Sequence, residues 1–196
     1  EDPDNAGRPG TLSQGAYGAK VAVPLLLDLL ARLDITASFF VPGRVAERYP
    51  SRVEEILAAG HEVGHHGYTH TSPLTLAPDQ EEAELVRGRE ILNRLGADVR
   101  GYRSPSWELS PVTLALLEGH GFAYSSNLMD DVRPYRHDGH DVVELPVHWT
   151  LDDAPHFWFS LRSWDRTIRS SAEVRAIWEE EVTGIAALGG LAMLTM

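Results

Sequence analysis

ITASFFVPGRVAERYPSRVEEILAAGHEVGHHGYTH, residues 35–70, reads as a strand, a helix, a second strand and a histidine-rich loop. ITASFFV at 35–41 is a short apolar run with β-branched and aromatic residues, the pattern of a buried strand. Residues 43–59 carry a helical period, and Gly60 stands where a helix C-cap is expected. HEVGH at 61–65 is strand-like again. Strands that alternate with helices and are apolar on both faces belong to a parallel sheet covered on both sides.

The same alternation continues in both directions. Residues 19–33 predict a helix with a broad apolar face and Pro24 near its start. Residues 79–95 predict an amphipathic helix with an acidic first turn and Gly96 just past its end. VRGYR at 99–103 reads as a strand, and 110–121 as a helix opening on a Ser110 cap and Pro111. FAYSS at 122–126, VVELPV at 142–147 and LAMLT at 191–195 read as strands, and 171–188 as a helix. One strand ahead of Glu1 would bring these six to seven, which suits a distorted (β/α)7 barrel. An open doubly wound sheet is the alternative. Either places the site at the C-terminal ends of strands. The polar EDPDNAGRPG at the start and the apolar LAMLTM at the end lead us to expect a single domain over 1–196, cut at both ends.

Composition narrows the function classes. The 196 residues are 43% hydrophobic and 23% charged, ordinary for a globular domain. A net charge of -12 argues against a nucleic-acid or anionic-membrane partner, which would favour a basic patch. The absence of cysteine removes disulfide scaffolds, thiolate zinc sites and cysteine nucleophiles. It leaves the compartment open, with the cytoplasm favoured over secretion.

HEVGHHGYTH at 61–70 holds four of the nine histidines and two overlapping metal patterns. His61-Glu62-Val63-Gly64-His65 fits the H-E-x-x-H pattern of zinc proteases, which needs a helix to bring both imidazoles to one face. Gly60, Val63 and Gly64 argue against a helix here, and His61 then reads as a strand-start residue near the surface. His66-Gly67-Tyr68-Thr69-His70 asks only for a turn after a strand, with Gly67 free to bend. A histidine pair at this spacing is either a metal site or two solvated side chains.

Several motifs in order then decide between them. His66-Gly67-Tyr68-Thr69-His70, Arg103-Ser104-Pro105, the approach ITASFFVPG at 35–43 and the lead-in GHEVGHH at 60–66 resemble the polysaccharide deacetylases of carbohydrate esterase family 4, the NodB-homology proteins. GAYG at 15–18, RSPSWELS at 103–110, SSNLMDDVRPY at 125–135 and ELPVHWTLDD at 144–153 resemble the branch with peptidoglycan-deacetylase-like proteins, cyclic-imide hydrolases and cofactor-independent allantoinases. Gly67 stands where the family has Ser or Thr.

The resemblance implies a metal-dependent hydrolase of non-peptide C–N bonds on a NodB-type barrel. It implies one divalent ion, zinc by preference, held by His66, His70 and an Asp on a strand before Glu1. Asp2 and Asp4 are not in strand context and are not assigned that role, and the general-acid His would follow Met196. Arg103 is implied as the catalytic residue that tethers the base carboxylate, its alternative being a surface ion pair. Trp107 and Glu108 are expected to line the pocket, Asp130 or Asp131 to meet substrate, and Trp149 and Tyr17, in a GAYG loop, to contact it. His148 is a weaker candidate, and His120, His137, His140 and His156 read as surface residues. The substrate is a sugar N-acyl group or a small cyclic amide. The loops at 103–108 and 149–159 lean towards a small ring. A homo-oligomer, a tetramer by resemblance, is the expected state. The competing classes are a catalytically broken binding module on the same scaffold and a zinc protease using Glu62.

Overall fold

The computed structural model describes residues 7–159 and 166–196, so Asp2 and Asp4 lie outside the described residues. The chain divides into two compact units, 1–123 and 124–196.

In the first unit, α1 (Pro9–Tyr17) runs through a π-helical turn (Gly18–Ala22) into α2 (Val23–Leu33). The expected helix over 19–33 therefore starts earlier, and GAYG is helical rather than a loop. Pro24 cannot donate a backbone hydrogen bond, and the wider turn lies just before it, with the Val23 N–H returning to Gly18. No residue of α2 is buried, although Leu25, Leu29 and Leu33 form an apolar stripe.

Strand β1 (Ser38–Val41) leads to α3 (Gly43–Arg48) and α4 (Pro50–Ala58), then β2 (Glu62–His65), α5 (Pro78–Arg94), β3 (Gly101–Tyr102) and α6 (Thr113–Gly119). The helix expected over 43–59 is broken at Tyr49, because Pro50 disfavours a helical conformation in the residue before it. Helix 110–121 starts later than expected, since Ser110 and Thr113 turn their hydroxyls to Glu81 of α5. The strands are parallel in the order β1-β2-β3, with Val41 opposite His65 and His65 opposite Tyr102. β1 is half-exposed rather than buried, having a described strand on one side within this unit. The core is built by Val53 and Ile56 of α4, Val63 of β2, Leu85, Ile91 and Leu92 of α5, Tyr102, Leu117 and Phe122.

In the second unit, β4 (Tyr124–Ser125) pairs in parallel with β6 (Val143–Glu144), and β5 (Tyr135–Arg136) pairs antiparallel with β6. The short α7 (Ala154–Phe157) and long α8 (Ser171–Ala187) follow, the latter capped by Ser170. β5 was not expected from the sequence. Among the described residues LAMLT contributes a parallel bridge, Thr195 to Asp152, rather than a strand. Val142, Val147, Leu151, Val174 and Ile185 form this unit's core.

Candidate active site

Strand β2 sorts the four clustered histidines. Glu62–His65 is extended, so HEVGH cannot bring its two imidazoles to one ion as a helix would. His65 points into the core, fully buried, 5.5 Å from the Tyr102 ring and 5.7 Å from Phe122. Burial pushes its pKa down to about 3. Its Nδ1 accepts from the Gly67 N–H at 3.1 Å, so the neutral ring carries its proton on Nε2. That Nε2 has no hydrogen-bond partner among the described residues. His61 is also buried, against Phe39, rather than near the surface as expected, because β2 begins inside the packing of α4.

The chain leaves β2 at His66 and turns through Gly67, whose φ of 71° is left-handed and open to glycine at no steric cost. His66 Nδ1 lies 2.7 Å from the Arg103 carbonyl. A carbonyl only accepts, so Nδ1 is the protonated nitrogen and Nε2 keeps its lone pair. The His66 and His70 rings meet edge to face, with centroids 4.8 Å apart. Two imidazoles on one tetrahedral ion, at metal–nitrogen distances of about 2.0–2.1 Å, hold their centroids roughly 5 Å apart. Burial lowers the pKa of both, that of His66 to about 4, which keeps them neutral at ordinary pH. Among the described residues no group of three His, Asp or Glu side chains converges as a complete metal site.

Three neighbours hold this turn. The Gly43 and Arg44 N–H groups at the start of α3 donate to the Gly67 and Tyr68 carbonyls, both at 3.0 Å. Glu84 of α5 accepts from the Tyr68 N–H at 2.9 Å, the Thr69 N–H at 2.7 Å and the Thr69 hydroxyl at 3.0 Å. The Tyr68 hydroxyl donates to Glu47 at 2.9 Å, and its ring lies 3.8 Å below the Arg87 guanidinium. Glu84 was missed in the sequence because nothing local separates it from the other acids of a solvated helix.

Strand β3 delivers Arg103, buried, with its guanidinium 4.5 Å from the Phe40 ring and 6.0 Å from Trp107. Ser106 and Trp107 both take left-handed backbone, φ 61° and 57°, which costs L residues about 1–2 kcal/mol each. Such strain gathers at functional sites. The Ser104 hydroxyl ties the loop by donating to the Glu108 carbonyl. Trp107 is buried, whereas Glu108 is exposed. In this unit the structure thus gathers His66, His70, Arg103 and Trp107. Tyr17 is on helix α1 and 57% exposed.

In the second unit Asp130 and Asp131 are exposed on the loop after β4. Asp130 accepts from the Tyr135 hydroxyl, and Asp131 from the Arg133 N–H at 2.9 Å. Trp149 is 48% exposed at the start of a short 3-10 turn (Trp149–Leu151) after β6, next to His148, whose Nε2 is buried with no hydrogen-bond partner among the described residues. Two histidines expected at the surface are not there. His137 pairs with the buried Glu144 at 2.9 Å, and His156 is buried against Trp178. His137 is drawn in by a partner on the neighbouring strand β6, and His156 by one on α8. His120 and His140 are half-buried.

Comparison with known proteins gives a consistent result. Residues 15–125 match the family model described as polysaccharide deacetylase. A peptidoglycan deacetylase from Helicobacter pylori is 34% identical over 182 residues, covering 79% of this chain and 62% of that protein. A peptidoglycan deacetylase-like protein from Gibberella zeae is 28% identical, covering 72% of this chain and 50% of that protein. The chain thus spans about half to three-fifths of these curated relatives. A crystal structure from Mycobacterium smegmatis, assigned to the polysaccharide deacetylases, is 40% identical with a TM-score of 0.94, covering 99% of this chain and 69% of that one. The crystal structure of an allantoinase, 21% identical with a TM-score of 0.80, covers 92% of this chain and 61% of its own and shares the fold.

Proposed function

This chain belongs to the polysaccharide deacetylase family, and from that premise we propose that it is part of a metal-dependent hydrolase that removes the acyl group from an N-acylated sugar. The observation that carries the metal is the His66–His70 pair. His66 Nδ1–H donates to the Arg103 carbonyl, which leaves the Nε2 lone pair for a metal beside a second neutral imidazole. Two neutral nitrogen donors suit a divalent first-row ion, zinc above all, completed by a carboxylate. When bound, that ion supplies polarisation of the amide carbonyl and a water acidic near pH 7.

The chain's own residues do the rest of the positioning. Amide cleavage needs a base for the attacking water and an acid for the departing nitrogen. Arg103 carries a fixed planar fork suited to orienting the base carboxylate, and the Phe40 and Trp107 rings hold that fork in place. Trp107 therefore acts through Arg103, and its left-handed backbone fixes the ring there. Within the first unit, Glu108 and Tyr17 are exposed and open to a substrate at its histidine pair, while Asp130, Asp131 and Trp149 are exposed in the second unit.

Two measurements test this reading. Metal analysis of wild type beside His66→Ala and His70→Ala should show metal lost in both variants, and unchanged content would refute the site. Turnover on chitooligosaccharides, succinimide, hydantoin and allantoin should favour the N-acetyl sugar. Preference for a cyclic amide would replace the substrate, and metal uptake with no turnover would replace the enzyme with a binding module.

A further inference from the structure

The segment that carries His66 and His70 has no regular secondary structure, and His70 itself sits at φ 64°, a conformation L residues rarely adopt. Such a turn persists only when its surroundings determine it. Midway between the two histidines, the Tyr68 and Thr69 N–H groups converge on one carboxylate oxygen of Glu84, at 2.9 and 2.7 Å. The Thr69 hydroxyl donates to the same side chain at 3.0 Å. The same face of α5 is shaped to the turn: Arg87 covers the Tyr68 ring, and Gly88 leaves room for the Gly67 carbonyl.

We infer that Glu84 is a positioning residue for the histidine pair: by reaching the Tyr68 and Thr69 N–H groups it holds the turn that presents His66 and His70 side by side. The inference rests on the metal reading above and adds to it the device that presets the two donors. What matters is the reach of the oxygen. A glutamine in its place offers a carbonyl oxygen to the same two N–H groups, whereas an aspartate keeps the charge but ends one methylene short.

The test is a calorimetric titration of Zn2+ into the metal-free chain, for wild type, Glu84→Ala, Glu84→Gln, Glu84→Asp and His66→Ala, beside amide hydrogen exchange at Tyr68 and Thr69. Glu84→Ala and Glu84→Asp are expected to bind Zn2+ about 10–100-fold more weakly, the usual effect of losing an outer-shell partner, while Glu84→Gln stays within about threefold of wild type. The two amides should exchange faster in the alanine and aspartate variants and keep their protection in the glutamine variant. If Glu84→Ala does not fold, the Gln and Asp pair decides alone. Aspartate behaving as wild type while glutamine binds weakly would overturn the inference, since charge or direct ligation would then be the role. So would Glu84→Ala binding within about threefold of wild type. Zn2+ uptake by His66→Ala equal to wild type would instead overturn the metal reading, and this inference with it.

Discussion

Replacing Gly88 by alanine should destabilise this protein, although the same change stabilises most helices. Gly88 lies inside α5, where alanine is favoured over glycine by about 1 kcal/mol. An added Cβ would approach the Gly67 carbonyl oxygen to 3.1 Å and the His65 Cδ2 to 3.2 Å, and would press closer still on His65 Nε2. The imidazole has no room to retreat, being fully buried between Tyr102 and Phe122. The carbonyl is held by the Gly43 N–H at 3.0 Å. Overpacking a rigid site costs about 1–3 kcal/mol, and two immovable neighbours put this one at the upper end. Set against the helix gain, the net loss is about 2 kcal/mol, or a melting temperature lower by about 4–8 °C in a chain of this size. Urea denaturation followed by far-UV circular dichroism measures it, with an unchanged m-value confirming that the loss is in stability. Gly184→Ala in α8 is the control, because a Cβ there meets nothing within 4 Å, and it should gain about 0.5–1 kcal/mol. If Gly88→Ala is as stable as wild type, the close approach of α5 to the histidine strand is wrong.

Acid should weaken the fold through His65. The unfolded chain takes up its proton near 6.5 and the folded chain only near 3, so between these values the unfolded state binds more protons and stability falls as pH drops. By about pH 4.5 the loss from this group is about 3 kcal/mol, seen as a lower urea midpoint than at about pH 6.5. A His65 ring that titrates near its ordinary value by NMR would contradict it. Ser106→Gly should raise stability by about 0.5–1 kcal/mol, because glycine takes the φ of 61° without the steric cost, less its greater loss of chain entropy. Turnover should fall at the same time, since the neighbouring Trp107 is then less firmly held against Arg103. A stability gain with unchanged turnover would show that the strained turn has no part in the site.

Much of the order of elements was legible because it is written locally. The apolar run ending in Phe39, Phe40 and Val41 and the period of α5 each depend on neighbours a few residues away, and β1, β2, α5 and α8 lie where these patterns place them. The failures have non-local causes. Tyr135–Arg136 has no apolar alternation and becomes a strand only by pairing with β6. LAMLT has the composition of a strand but, among the described residues, receives one bridge partner. His156 looks like a polar loop residue until Trp178 of α8 is brought to it, and His137 until the antiparallel turn from β5 back to β6 sets Glu144 beside it.

The divide is clearest in the ten residues from His61 to His70. By itself the sequence identified the family and pointed to the HGYTH segment and Arg103 as its candidate site, because donor types at short spacing and motif order survive without coordinates. It also excluded a helix there, since Gly60, Val63 and Gly64 disfavour one. Only the tertiary structure separated the core histidine His65 from the part-buried His66 beside it, because that choice depends on which face of β2 meets Tyr102 and Phe122. Only it showed which nitrogen of His66 is free, because that depends on a carbonyl 37 residues away. The clamp by Glu84 is of the same kind: a hydrogen bond between a strand-end turn and a helix exists only once the chain has folded back on itself.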